Sequence, residues 1–347
     1  MTKDTDLSVE KTEQQAQMLI NRLRKRQNHL KKWAKLNNPG MYRLYDKDIP
    51  EIPLVLDFFQ TEKFSTAVCG ALYKRPYYKD DGEETVWLNQ MQKAIAEAID
   101  ADPSVIFIKQ RRRQNPQSQY QKINTVSKNS AAIIIKENSI RYKVILNEYI
   151  DVGLFPDMRL LRKKIQRESN NKNILNLFCY TGAFSIAAAY GGAATIDSVD
   201  ISNTYLEWTK ENCELNNIKT FYCHKNSTAA GCRLIRTDAR KFLKEAVYTK
   251  QKYDIIILDP PVFSVSKKMH GILDIQKDAV SLIEDCLKIL RSGGLIYFSS
   301  KLHKFTFDIP ALTARYPVLL IEDITEKMRD EDFKKKWMPS IWRLTKV

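Results

Sequence analysis

Tyr253-Asp254-Ile255-Ile256-Ile257-Leu258-Asp259-Pro260-Pro261-Val262-Phe263 reads as a buried strand that stops abruptly at Asp-Pro-Pro and is followed by an aromatic residue. An unbroken apolar run of this length is the pattern of a strand covered on both faces. Each proline fixes its own φ and lacks an N–H, and Pro260 pushes Asp259 away from the helical region. The chain therefore leaves the sheet in a stiff, extended turn whose carbonyls are free to face a ligand. In an open α/β sheet, ligands bind in the crevice at the carboxyl ends of the strands. Asp259, Pro260 and Pro261 are candidate site residues on that ground, with Phe263 placed to stack on a planar substrate. An ordinary buried aromatic under the turn is the plainer reading of Phe263.

Working outward, strands and helices alternate from about residue 174, which predicts an α/β fold with a parallel, doubly wound sheet. Strands are expected at 174–179, 195–200, 233–237, 253–258 and 294–299, and helices at 183–190, 203–215, 239–246 and 274–290. Two further strands, 318–324 and 341–345, close the chain. Before this domain, Ala16, Leu19, Ile20, Leu23, Leu30, Trp33 and Ala34 recur at helical spacing until Asn37-Asn38-Pro39-Gly40 stops the pattern. Strands at 54–59, 64–72, 105–108, 131–136 and 142–146 and a helix near 84–98 complete a smaller α+β domain. The organisation read from sequence is a disordered tail over 1–15, a basic α+β domain over 16–150 and the α/β domain over 151–347.

With 347 residues and 44% hydrophobic content, the chain is long enough for two real cores. No apolar run reaches the roughly 18 to 20 residues of a membrane span, and the polar start is unlike a signal peptide, so the cytoplasm is the expected compartment. Cys69, Cys179, Cys213, Cys223, Cys232 and Cys286 form no C-x-x-C pair and share no metal-ligand spacing with the histidines, so reduced core thiols and no metal are expected. Lys and Arg outnumber Asp and Glu by 56 to 41, a formal charge of +15 that favours a polyanionic partner. The excess is concentrated. Arg22, Arg24, Lys25, Arg26, Lys31, Lys32 and Lys35 form one block without an acid, and Lys109, Arg111, Arg112, Arg113, Lys122, Lys128 and Lys136 form another. A solvated face is the ordinary reading of a charge run, but two such blocks in one domain point to RNA or DNA.

The ends of the predicted strands carry further chemistry. The first leads into Gly182 just before a helix, where the backbone can approach a ligand and free N–H groups are available. The second ends at Asp200, an acid placed to accept both hydroxyls of a ribose. The third ends at Asp238, placed to accept from an adenine amine. Helix capping is the competing reading of both acids. Because no second glycine follows Gly182 until Gly191, the dinucleotide fingerprint is missing. A nucleoside without a pyrophosphate suits S-adenosyl-L-methionine better than NAD.

Three segments carry a resemblance: Asn176-Leu177-Phe178-Cys179-Tyr180-Thr181-Gly182, Val199-Asp200-Ile201-Ser202-Asn203-Thr204-Tyr205-Leu206-Glu207-Trp208, and Leu258-Asp259-Pro260-Pro261-Val262-Phe263-Ser264-Val265-Ser266-Lys267. They resemble class I methyltransferases of large-subunit ribosomal RNA, most closely the RlmK type, the guanine-N7 half of the fused bacterial RlmK/L enzyme. Gly153-Leu154-Phe155-Pro156-Asp157-Met158-Arg159, Tyr42-Arg43-Leu44-Tyr45-Asp46 and Phe298-Ser299-Ser300 extend the likeness over nearly the whole chain from about residue 20. The loop from Lys219 to Gly231 is longer than the family pattern.

The resemblance implies a Rossmann-like sheet, mostly parallel with an antiparallel last strand, preceded by an RNA-binding domain. It implies cofactor contacts from Asn176, Phe178, Tyr180, Thr181, Gly182, Asp200, Ile201, Ser202, Asp238, Ala239 and Asp259. Asp157 and Arg159, in a segment that folds over the cofactor in related enzymes, are expected to contact its methionine end or to order the site, with a structural ion pair as the alternative. Asp259 and the Pro260 carbonyl would orient the base, and Lys267 would hold the RNA backbone beside Arg22, Arg24, Lys25, Arg111, Arg112, Arg113 and Lys122. The activity implied is N7-methylation of a guanosine in large-subunit ribosomal RNA or its precursor. Docking would come from the N-terminal domain or from a separate RlmL-like partner.

Other activities remain open at this point. An RNA cytosine-C5 methyltransferase of the RlmI type needs a thiolate, and Val262 and Ser299-Ser300 stand where it would be expected. Methylation of an exocyclic amine, as on guanine N2, usually accompanies a tyrosine after the two prolines, where Phe263 lacks the hydroxyl. A non-catalytic RNA-binding assembly factor and a nicotinamide oxidoreductase are the readings from other classes.

Overall fold

The computed structural model describes residues 2–61, 65–74, 80–110, 130–222, 231–265 and 272–347. It divides into two compact units, one of residues 1–139 with 144–152 and the other of 140–143 with 153–347.

The first unit opens with helix α1, Thr2–Asn37. The expected disordered tail over 1–15 is corrected here: no proline or glycine interrupts the chain before Pro39, so the helix extends back through those residues. Strands β1 (Met41–Asp46), β2 (Leu54–Thr61) and β3 (Ser65–Leu72) follow, then helix α2 (Asp81–Ile99) and strands β4 (Ile106–Gln110), β5 (Ala132–Glu137) and β6 (Ile140–Ile145). The sheet runs β4-β3-β2-β5-β6, with β1 also paired to β2. Leu19, Leu23 and Leu30 of α1 share one core with Trp87 and Met91 of α2 and Leu56 of β2. Trp87 donates its indole N–H to the buried Gln15 side chain at 2.6 Å, which satisfies both polar groups inside that core.

The apolar stripe of α1 thus faces inward and leaves Lys25, Lys31, Lys32 and Lys35 exposed. Two of the predicted RNA-binding residues already have acidic partners: Arg22 pairs with Asp48 at 2.7 Å and Arg24 with Glu97 at 3.1 Å. Arg111, Arg112, Arg113, Lys122 and Lys267 lie outside the described residues.

In the second unit, helix α3 (Arg159–Glu168) leads into β7 (Asn173–Leu177), α4 (Ala183–Tyr190), β8 (Thr195–Asp200), α5 (Asn203–Leu215), β9 (Thr220–Tyr222), β10 (Cys232–Arg236), α6 (Ala239–Tyr248) and β11 (Tyr253–Leu258). A ribbon of β12 (Phe263–Val265) and β13 (Ile272–Asp274) precedes α7 (Ile275–Ile289), β14 (Leu290–Ser300), α8 (Ile309–Arg315), β15 (Leu319–Asp323) and β16 (Ser340–Lys346). The eight-stranded sheet has the order β15-β16-β14-β11-β7-β8-β10-β9. Its strands pair in parallel except that β16 runs antiparallel to both β14 and β15, the antiparallel last strand that the resemblance implied. Strand order reverses between β7 and β11, which makes their carboxyl ends the topological switch point.

Cys69, Cys179, Cys213, Cys232 and Cys286 are free and buried, as expected of core thiols, while Cys223 lies outside the described residues. Among the described residues no group of acids, histidines and cysteines could hold a metal, and no helix is long and apolar enough to cross a membrane.

Candidate active site

Phe298, Leu258, Leu177 and Val199 face one another across β14, β11, β7 and β8. Register alone therefore brings the next residue of each strand, Ser299, Asp259, Phe178 and Asp200, to the same edge of the sheet. Ile255, Ile256, Ile257 and Leu258 are all buried, so this strand is covered on both faces and its end lies at the crevice.

Beyond β7 the chain alternates through left-handed backbone at Phe178 (φ 58), Tyr180 (φ 52) and Gly182 (φ 78). Two of these residues carry a Cβ, and such strain, of order 1–3 kcal/mol each, persists where surrounding contacts fix it. Here the contacts are on view. Cys179 donates its N–H to the Val199 carbonyl at 3.0 Å, Tyr180 donates its N–H to Asp200 Oδ2 at 3.0 Å, and Thr209 Oγ1 donates to the Tyr180 carbonyl at 2.9 Å. At Gly182 a Cβ would stand 2.3 Å from Thr209 Cγ2, so only glycine fits at the entrance to α4.

Asp200 also accepts from the Ser202 N–H through Oδ1 at 2.9 Å. Both oxygens thus accept from backbone amides, and a carboxylate keeps lone-pair capacity for further donors. Burial nonetheless pushes the carboxyl up to about 6, against the opposing pull of the Ser202, Tyr180 and Ile201 amides. Ser202 itself caps α5, its hydroxyl accepting from the Tyr205 N–H. Asp238 caps α6 in the same way, Oδ1 accepting from the N–H groups of Arg240 and Lys241, so the capping reading holds for this acid; buried Ala239 begins the helix.

Thr181 is buried, its hydroxyl donating to the Gly153 carbonyl at 2.6 Å. Asn176 is buried too, and donates Nδ2 to Ser185 Oγ at 2.9 Å while its Oδ1 has no hydrogen-bond partner in the protein. An orphaned buried acceptor costs about 1–3 kcal/mol, which a bound ammonium or hydroxyl would recover.

Arg159 has acidic partners within the protein. Its guanidinium is committed to Asp330 at 2.7 Å and to Asp332 through two contacts of 3.2 Å, with Arg159 and Asp332 both buried. The structure shows the ion pair that sequence offered as the alternative reading of this side chain. Its helical neighbour Arg162 donates to the Phe155 carbonyl at 2.8 Å, and half-buried Asp157 sits in the 3-10 turn between them.

At the end of β11, Asp259 accepts from Ser299 Oγ at 2.6 Å and from Lys301 Nζ at 3.2 Å. The Lys301 ammonium also stands 3.7 Å from the centre of the Phe155 ring, and Phe155 packs on Tyr180 at 5.5 Å. Two loops and two strand ends are thereby tied around one carboxylate. Pro260 is buried and Pro261 half-buried. Phe263 is not on an open turn: it is half-buried in the ribbon opposite Asp274, because the chain after the prolines folds back on itself. Asp274 then caps α7, and Asp278 of that helix accepts from the Asp274 N–H at 2.8 Å while pairing with Arg240.

Lys301, Ser299 and Phe155 were not singled out from sequence as site residues. Ser299 stands in register with Asp259, a relationship that strand pairing would have exposed; Lys301 lies just past the strand, where periodicity gives no signal.

A family model of S-adenosylmethionine-dependent methyltransferases matches residues 54–298. The chain belongs to this family. The methyltransferase is 38% identical over 328 residues to ribosomal RNA large subunit methyltransferase K of Neisseria meningitidis serogroup B, an alignment spanning 93% of this chain and 86% of that protein. It is also 38% identical over 333 residues to ribosomal RNA large subunit methyltransferase K/L of Magnetococcus marinus, covering 95% of this chain and 43% of the relative, so it spans less than half the length of that protein. Among solved structures it is similar to the methyltransferase SMU.776, crystallised with S-adenosylhomocysteine, with a TM-score of 0.70 at 22% identity over 95% of this chain and 82% of that one. At that identity the likeness concerns the fold.

S-adenosylmethionine is the cofactor of this methyltransferase, and the residues present fit it. Asp200 retains acceptor capacity that ribose hydroxyls would use, and Asn176 Oδ1, which has no hydrogen-bond partner in the protein, would accept from the methionine ammonium.

Proposed function

We propose that the methyltransferase methylates N7 of a guanosine in large-subunit ribosomal RNA, acting in the cytoplasm. The carrying observation is the pairing of Asp259 with Lys301 at 3.2 Å beside Ser299. The Watson–Crick edge of guanine offers an acceptor at O6 next to donors at N1 and N2. An ammonium beside a carboxylate presents the complementary set, and neither adenine nor cytosine matches it in the same order. Holding that edge leaves N7 unengaged on the adjoining Hoogsteen edge, next to O6.

The bound cofactor supplies an electrophilic methyl group on a sulfonium. Guanine N7 already carries a lone pair and no proton, so the protein needs neither a general base nor a covalent nucleophile. Its task is to orient the base through Asp259 and Lys301, to hold it within the crevice and to exclude water. Cytosine-C5 chemistry fits poorly, because the described cysteines are buried and burial pushes the Cys179 and Cys286 thiols well up. The RNA class of substrate is supported by the net charge of +15, by the exposed lysines of α1 and by the names of the relatives.

Mass-spectrometric mapping of ribosomal RNA from cells lacking the gene tests this. Loss of a single 7-methylguanosine, restored by the wild-type gene and not by Asp259→Ala, is the expected result. Loss of a methylated cytosine or an N2-methylguanosine instead would overturn the assignment. In vitro, Asp259→Ala abolishes transfer while leaving RNA affinity nearly intact, and replacing Arg111, Arg112 and Arg113 does the reverse.

A further inference from the structure

His303 and Trp337 stack with their rings 5.9 Å apart and within 8° of parallel. Both are exposed, Trp337 to 44%, although a large aromatic is ordinarily among the more buried residues. Their neighbours are spent elsewhere. Phe305 and Phe307 pack with Phe298 and Trp342, and Met338 and Pro339 are buried, so each loop turns its other rings inward and leaves this pair outside.

The two loops are also held from below. Gln276 grips the backbone of Thr306, donating to its carbonyl at 2.8 Å and accepting from its N–H at 3.1 Å. Arg159 anchors Asp330 and Asp332, and Arg329 donates to the carbonyls of Phe333 at 3.0 Å and Lys336 at 2.6 Å. An aromatic presented on a fixed frame binds without an ordering penalty. Charge points to the ligand: Lys304 and Lys335 are exposed on the two loops, beside Lys301, which pairs with Asp259 at 3.2 Å, and Lys334, which pairs with Glu331 at 2.6 Å.

We propose that the stacked pair His303–Trp337 is a platform for an unpaired nucleotide adjacent to the target base. This rests on the RNA reading above and deepens it. Exposed parallel rings among lysines suit a base flanked by phosphates, since stacking accepts any base and the ammonium groups take the backbone. The location agrees. Lys301, which grips Asp259, is separated from His303 by at most about 7 Å of chain, close to one nucleotide step. A base extruded into the crevice leaves its neighbour unstacked, and the platform would replace the lost stacking partner.

The test uses the full chain and fluorescein-labelled oligouridylate, read by anisotropy, with inorganic polyphosphate as a competitor that has charge and no bases. Trp337→Ala is expected to weaken oligouridylate binding about 5- to 100-fold, and Trp337→Phe to restore most of it. Polyphosphate binding and S-adenosylmethionine affinity by calorimetry should be unchanged in both. If Trp337→Ala fails to fold, seen as lost cofactor binding, the same loss is expected of His303→Ala. Oligouridylate binding that is unchanged in a cofactor-competent variant overturns the platform and leaves the methylation reading standing. Equal loss of polyphosphate binding, or displacement of the RNA by polyglutamate as easily as by unlabelled RNA, also overturns it, the latter in favour of an acidic protein partner. Wild-type protein that ignores oligouridylate overturns the platform, and missing activity on ribosomal RNA would be needed to overturn the broader reading.

Discussion

Lys301 holds Asp259 from one side, at 3.2 Å, while Ser299 holds it from the other at 2.6 Å, so the carboxylate at the end of β11 is fixed by residues leaving β14. The pair is partly exposed, with side-chain exposures of 25% and 13%, and its direct contribution to stability is correspondingly small, about 0–1 kcal/mol. Its value lies in orientation. Replacing Lys301 by methionine is expected to lower single-turnover methyl transfer about 10- to 100-fold while barely moving the melting temperature. An unchanged rate would remove Lys301 from the site.

Asp200 is expected to make cofactor affinity depend on pH. Burial raises its carboxyl to about 6 from an ordinary 3.8, so the folded state binds the proton more tightly than the unfolded chain does. The resulting contribution to stability is present in full below about pH 4 and is lost as pH rises through about 6. Ribose recognition requires the opposite form, the carboxylate. Between about pH 7.5 and pH 5, the dissociation constant for S-adenosylmethionine should rise about tenfold, because about a tenth of Asp200 remains ionised at the lower pH. Calorimetry across this range, with Asp200→Asn expected to give weaker and flatter binding, checks the assignment; an equally steep profile in the variant would contradict it.

Arg159 is expected to matter for stability rather than for cofactor affinity. Arg159→Met strands Asp332, whose side chain is fully buried, and losing one partner of a buried pair costs about 3–5 kcal/mol. Urea unfolding should show that loss, with cofactor binding little changed at temperatures where the variant stays folded. A variant of normal stability that has lost cofactor affinity would return Arg159 to the cofactor site.

At Gly182, alanine would meet Thr209 at 2.3 Å in a backbone conformation with φ 78. We expect Gly182→Ala to destabilise the fold by about 1–3 kcal/mol and to weaken cofactor binding, since the shift is forced on the loop that supports Asp200. Adding Thr209→Ser, which removes the methyl group in the way, should recover part of both losses. No recovery would mean that backbone strain alone is responsible.

Much of this fold is legible in the sequence because its central strands bury both faces. The expected bounds of β8, β11, α4 and α5 match the structure residue for residue, and the strand-end acid Asp200 stands where the pattern places it. What escaped notice has identifiable causes. The strands β12 and β13 are three residues each, too short for periodicity, and they convert an expected open turn at Phe263 into a ribbon. Helix α3 is masked by its charge, because Arg159 and Arg162 lie on its buried face. The partners of Arg159 lie more than 170 positions away along the chain, and no local pattern announces such a pair. For Asp238 sequence left two readings open, and the cap is the one on view, with Oδ1 accepting from the amides of Arg240 and Lys241.

The antiparallel β16 has a consequence for how the molecule is made. It lies between β14 and β15, and β15 pairs with no other strand of the sheet. During synthesis, β7, β8, β10, β11 and β14 emerge and can pair while the outer edge of β14 stays open, until residues 340–346 leave the ribosome and insert beside it. Until then that edge is a row of unpaired amides and carbonyls flanked by apolar side chains, a template for any passing strand. A stall or cleavage shortly before residue 340 would therefore leave the sheet with a sticky open edge, and the burden on chaperones falls in the interval before residues 340–346 insert.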